Sequence, residues 1–94
     1  MKLYTTEGAP NPRRVKIFLA EKGIEIPMQE ISIMKQEHKT ESYRAISPLC
    51  RVPALVLDDQ SVILESVAIC RYFELLNPEP RLFGHTNIEK AIVE

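Results

Sequence analysis

The sequence predicts an α/β domain of element order βαβαββα, with a mixed four-stranded sheet flanked by helices. Three observations carry that expectation. Residues 2–6 and 27–33 alternate apolar and polar side chains and enclose a helix-like stretch. A strand–helix–strand unit of this kind implies a parallel pair with a right-handed crossover. Further on, apolar runs at 54–57 and 62–64 flank the polar turn Asp58-Asp59-Gln60-Ser61, the pattern of an antiparallel hairpin.

Taken in order, Lys2-Leu3-Tyr4-Thr5-Thr6 reads as the first strand, and Gly8-Ala9-Pro10-Asn11-Pro12 breaks it. Asn11 before Pro12 looks like a helix start, because Asn can cap orphan N–H groups and Pro suits the first helical position. The helix over 12–22 places Val15, Phe18, Leu19 and the stem of Lys22 on one face, with Gly23 as its C-cap. Met34 to Thr40 reads as a charged connector, and a short helix is expected around 41–46, stopping before Ser47-Pro48. The last complete helix begins at Glu65-Ser66 and runs to about Leu76. Its apolar residues (Val67, Ala68, Ile69, Tyr72, Phe73, Leu75 and Leu76) spread over most of its surface, wider than the single stripe a surface helix needs. That breadth predicts a face covered by something beyond its own sheet. Thr86 with an acidic residue three positions on marks a further helix start over 86–94.

Composition bounds the possible functions. The chain has 94 residues, 45% of them hydrophobic and 27% charged, enough apolar material for one small core. A net charge of −1 argues against a polybasic nucleic-acid or membrane-surface binder. No apolar run reaches the roughly 18–20 residues of a membrane span, and the N-terminus lacks the pattern of a signal peptide. Cys50 and Cys70 form no C-x-x-C and have no His at metal-ligand spacing, so no metal site is expected. Two cysteines do not make a disulfide scaffold, although their pairing is not excluded by sequence, and a cytoplasmic location is expected.

The element order is that of the thioredoxin-like fold, and the residues narrow it further. Arg51-Val52-Pro53-Ala54-Leu55, the Asp-Asp turn, Ile63-Leu64-Glu65-Ser66-Val67-Ala68-Ile69, Ala9-Pro10-Asn11-Pro12-Arg13-Arg14-Val15 and Leu19-Ala20-Glu21-Lys22-Gly23 resemble the N-terminal domain of cytosolic glutathione transferases. The likeness implies a glutathione-binding domain over 1–77, a linker over 78–85, and at 86–94 the start of an all-helical second domain cut short. It also implies glutathione as co-substrate, a small hydrophobic electrophile, a homodimer in the full-length protein, and no role for metal, nucleic acid or membrane. The domain alone is expected to have little turnover, because the electrophile pocket is walled largely by the helical domain.

Residue by residue, the resemblance implies that Ser66 and its backbone hold the γ-glutamyl carboxylate and that Glu65 helps take the ammonium. A helix start suits an anion, and plain N-capping is the alternative role for the same pair. Val52-Pro53 resembles the family's cis-proline turn, whose preceding backbone pairs with the cysteinyl unit as an added strand; an ordinary trans proline opening an edge strand is the alternative. His38, Lys39 and Arg51 match cations for the glycyl carboxylate, or else a solvated loop. Many relatives activate the thiol with Ser, Thr or Cys where this chain has Ala9 and Pro10, and neither of these can donate a hydrogen bond. Such a bond to a charged group contributes about 1.5–3 kcal/mol, or roughly one to two pKa units. Asn11 is the candidate substitute, with helix capping as its other role, while Thr5 and Thr6 are expected to fall short of the sulfur. Cys50 stands where many relatives have Gly, either as a small turn residue or as a thiol near the peptide; Cys70 reads as packing. Ala9 and Pro10 equally fit a second class, a non-catalytic binding or assembly module such as stringent-starvation-type regulators or elongation-factor gamma subunits.

Overall fold

The computed structural model describes residues 1–79, 82, 83 and 88. Strand β1 (Lys2–Thr5) leads into helix α1 (Pro10–Lys22), and β2 (Met28–Glu30) returns parallel to β1. A single 3-10 turn at Glu37–Lys39 and the short helix α2 (Glu41–Arg44) follow, then β3 (Ala54–Val56), β4 (Val62–Ile63) and helix α3 (Ser66–Leu76). The sheet order is β2-β1-β3-β4, with β3 antiparallel to both β1 and β4. The mixed thioredoxin-like layout expected from the sequence is the one observed.

Strand alternation divides the core in two. Leu3 and Leu55, register partners, bury against Val15 and Leu19 of α1 and Ile69, Cys70 and Phe73 of α3. The other face carries a smaller cluster of Ile31, Tyr43 and Ala54, with Tyr4, Ile46, Val52 and Leu64 packed around it.

Several local expectations change. Helix α1 starts two residues earlier than expected: Ala9 is its extended N-cap residue, makes no side-chain cap, and leaves Asn11 inside the first turn. The cause is Pro10, whose fixed φ already suits the first helical position. Strand β2 is three residues long rather than seven, because Ile31 turns inward to pack on Tyr43 and the Ser32 N–H donates to the Glu37 carboxylate at 2.6 Å. The charged connector contains the 3-10 turn, and α2 is a single turn capped by the Thr40 hydroxyl, which accepts from the Tyr43 N–H. Gly23 caps α1 as expected, at φ 68°, where its N–H reaches Ala20 O and that of Ile24 reaches Leu19 O. Cys50 and Cys70 are unpaired thiols. The helix expected over 86–94 lies outside the described residues except for Ile88.

Contacts at their two ends show that α1 and α3 run side by side in the same direction. At one end, the Arg14 guanidinium meets the Ser66 hydroxyl. At the other, Lys22 Nζ pairs with Glu74 Oε1 at 2.5 Å, donates to the Asn77 carbonyl and lies 5.5 Å from the Phe18 ring centre. The Lys22 side chain is fully buried. Glu74 also accepts the N–H groups of Leu82 and Phe83, so the chain beyond α3 folds back, and Phe83 packs 5.6 Å from Phe18. Burial pushes the Glu74 carboxyl up, but the Lys22 hydrogen bond, the two backbone donors and the Lys22 charge together hold it below the usual carboxylate range.

On the other face, Tyr43 anchors the segment that enters β3. Its hydroxyl donates to the Arg51 carbonyl at 2.6 Å, while Ser47 Oγ accepts the Arg51 N–H at 2.8 Å. Burial above all, with neighbouring Tyr4 and Cys50 adding to it, pushes the Tyr43 hydroxyl up to about 12, so it remains a donor at any ordinary pH.

These ties give three expected outcomes. Glu74→Gln, which removes the charge opposite the buried Lys22 ammonium and leaves one oxygen where Leu82 and Phe83 now use two, should lower the melting temperature by about 10 °C. Because the folded Glu74 pKa is depressed, its contribution is present at neutral pH and lost as pH falls through the folded value. Stability measured from pH 7 to 2 should therefore fall more steeply for the wild type than for Glu74→Gln. Tyr43→Phe should cost about 1 kcal/mol in denaturant unfolding by leaving the Arg51 carbonyl without its donor.

Candidate functional site

Topology gathers the expected site residues at one end of the sheet. The end of β1 pairs with the start of β3 (Tyr4 with Ala54), and β4 runs in the same direction as β1. Ala9–Asn11 after β1, Val52-Pro53 before β3, and Glu65-Ser66 after β4 therefore emerge on the same side. The segment after β2 emerges there too, since β2 is parallel to β1.

At the start of α3, Glu65 occupies the N-cap position in an extended conformation, with no side-chain cap. Ser66 is 7% exposed, and its Oγ accepts a hydrogen bond from Arg14 Nη1 at 3.1 Å. The capping role considered for this pair is thus not the one its side chains take. The first N–H groups of a helix have no intrahelical acceptor and face any anion placed there. Arg51 Nη1 lies 3.4 Å from Glu65 Oε1, both side chains more than half exposed. An exposed pair of this kind contributes about 0–1 kcal/mol, so its two charges are open to exchange with those of a ligand.

The Val52-Pro53 bond is cis, as the resemblance implied. Pro53 is buried, Val52 half-buried, and Arg51 is held on both its N–H and its carbonyl by Ser47 and Tyr43. Cys50 has φ 59°, in the left-handed region where glycine costs least.

The N-terminus of α1 offers less than a typical helix start. Pro10 and Pro12 have no N–H, and the Arg13 N–H donates to Ala9 O. Asn11 is thus the first-turn residue with an N–H to give, and its exposed side-chain amide is the second donor there. It lies one turn before Arg14.

His38 and Lys39 sit on the 3-10 turn, His38 half-buried and Lys39 exposed. Among the described residues, no hydrogen bond or ion pair ties them to Arg51, Glu65 or Ser66, so their grouping with Arg51 rests on topology. His38 Nδ1 is buried without a hydrogen-bond partner. A cavity of about 350 Å³ opens on the α2 face of the sheet, lined by Tyr4, Gln29, Glu37 and Tyr43 among others, away from α3. Among the described residues, no group of three His, Cys, Asp or Glu side chains is placed to hold a metal ion. Arg14 is the residue the sequence reading passed over. In sequence it stands only as part of the Ala9–Val15 run, and its partner lies 52 residues away.

Comparison with known proteins gives the family. The family model described as Glutathione S-transferase, N-terminal domain, matches residues 9–76. The chain is 39% identical to Glutathione S-transferase 2 of Saccharomyces cerevisiae, over 99% of its own length and 41% of that protein. It is 34% identical to a maleylacetoacetate isomerase of Pseudomonas aeruginosa, over 97% of its length and 44% of that protein. A glutathione transferase homologue from Sulfitobacter, solved with bound glutathione, superposes with a TM-score of 0.89 at 28% identity, covering 96% of this chain and 43% of that one. The chain thus spans less than half the length of each. On sequence match, fold and site topology together, it belongs to the glutathione S-transferase family and carries that family's N-terminal domain.

Proposed function

We propose that this domain binds glutathione and positions its thiol for attack on a hydrophobic electrophile, with the electrophile pocket completed by a helical domain. The observation that carries the reading is the convergence of the α3 N-terminus, the Arg51–Glu65 pair and the cis Val52-Pro53 turn at one end of the sheet. Glutathione has two carboxylates, one ammonium and a thiol, and this set, with the cations after β2, offers counterparts for the three charged groups and for the peptide backbone. Ser66 and the α3 N–H groups take the γ-glutamyl carboxylate, and Glu65 takes the ammonium. The Val52 backbone pairs with the cysteinyl unit, and Arg51 and Lys39, with His38 beside them, face the glycyl carboxylate.

Asn11 is the proposed thiolate donor. With prolines at positions 10 and 12, the α1 dipole acts there through few N–H groups, and a helix terminus contributes only about 0.3–1 kcal/mol. In the proposed reaction the thiol proton leaves to solvent and the thiolate forms a carbon–sulfur bond with the electrophile. The electrophile's leaving group departs with its bonding pair or, in an addition, its π pair moves to the neighbouring atom, which takes up a proton from solvent. A relative named as an isomerase and others named as transferases leave the reaction type open within this scheme. A homodimer and a cytoplasmic location are further parts of the proposal, supported by the family. So is cover for the exposed Val67, Leu75 and Leu76 of α3 by a helical domain. The second reading, a non-catalytic binding or assembly module, is favoured by one observation: neither Ala9 nor Pro10 can donate to a sulfur.

Calorimetric titration of glutathione decides between them. We expect a dissociation constant of millimolar or tighter, weakened about tenfold by Glu65→Ala and by Ser66→Ala. A folded sample that does not bind would support the assembly module. Thiolate absorbance against pH then tests Asn11. Asn11→Ala should raise the bound thiol's pKa by about one unit while leaving affinity within about twofold.

A further inference from the structure

We propose that Arg14 is a positioning residue for the γ-glutamyl carboxylate, holding Ser66 Oγ as an acceptor so that the serine's own proton is presented to the ligand. The inference rests on the glutathione reading above and adds a residue to it. A guanidinium has only donors, so in the 3.1 Å contact between Arg14 Nη1 and Ser66 Oγ the serine oxygen must accept. A serine hydroxyl has a single proton, and among the described residues no acceptor engages it. Left alone, a serine in the first turn of a helix turns its hydroxyl toward nearby backbone groups. Arg14 removes that freedom. A cationic donor on Oγ also polarises the O–H and makes it a stronger donor to a carboxylate.

The surroundings support the assignment. Ser66 is almost fully buried while Arg14 is exposed, so the guanidinium keeps further N–H groups at the mouth of the site. Its charge reaches along the first turn of α3: burial pushes the Cys70 thiol up, and Arg14 works against that push. The parallel run of α1 and α3 brings Arg14 to this end of the helix pair, one turn after Asn11, so one helix face serves both the thiol and the γ-glutamyl end of the same peptide.

The test is titration of glutathione, and of cysteinylglycine, which lacks the γ-glutamyl unit, into the wild type, Arg14→Met, Arg14→Lys, Ser66→Ala and the two Arg14 changes combined with Ser66→Ala. Arg14→Met should weaken glutathione about tenfold, and Arg14→Lys, which keeps a cationic donor without the rigid fork, about threefold. In the Ser66→Ala background either change should have less than about twofold further effect, and cysteinylglycine affinity should not respond. Equal losses in both backgrounds, or equal losses for cysteinylglycine, would overturn the positioning role while leaving the glutathione site standing. A folded wild type that binds no glutathione would overturn both. Circular dichroism of each variant verifies folding, and if Arg14→Met does not fold, the Arg14→Lys pair carries the same comparison.

Discussion

Burial of Leu3 and Leu55 beneath two helices that run in the same direction is the constraint on which the rest of the molecule depends. β1 and β4 point the same way, each is followed by a helix, and both helices return across the same apolar face. Their N-termini are therefore forced to one end of the sheet, where the chain also enters β3. That residues 9–14, 50–53 and 65–66 meet at one end of the sheet is a consequence of packing one core, and the Tyr43–Arg51 and Arg14–Ser66 hydrogen bonds then tie those segments in place.

The same arrangement sets the electrostatics. Parallel helices bring like ends of their dipoles together, which concentrates positive potential at one end and negative at the other. Lys22 answers the negative end: its buried ammonium is satisfied by Glu74 and the Asn77 carbonyl, and Glu74 in turn holds the chain beyond α3. At the positive end stand Arg14, bonded to Ser66, and Arg51, paired with Glu65. The Arg51–Glu65 pair is exposed and contributes little to folding.

The α1 terminus works under a tighter limit. Two prolines make the first turn easy to form and remove two of its N–H groups, so the gain in helix initiation lowers the capacity to stabilise a thiolate. Asn11 stands between them as the remaining source of donors. Neither Ala9 nor Pro10 has a side-chain donor, so within this first turn the thiolate donor we propose is Asn11.

Much of this was readable from residue order. Alternation placed the strands, Gly23 ended α1, the Asp58-Asp59 turn closed the hairpin, and Glu65-Ser66 marked the start of α3, because each of those signals acts within a few residues of itself. The three segments of the site were likewise named from short motifs. Local signals failed where a distant residue intervened. Asn11 reads as a cap until Pro10 starts the helix. The 27–33 strand reads as seven residues until Tyr43 draws Ile31 inward, and Ser66 reads as a self-contained cap until Arg14 is seen to reach it. Element order, and with it the fold, was thus determined by the sequence alone. Which cation meets which oxygen was decided by tertiary structure, because Arg14 and Ser66, or Lys22 and Glu74, become neighbours only when α1 and α3 bury the same two leucines.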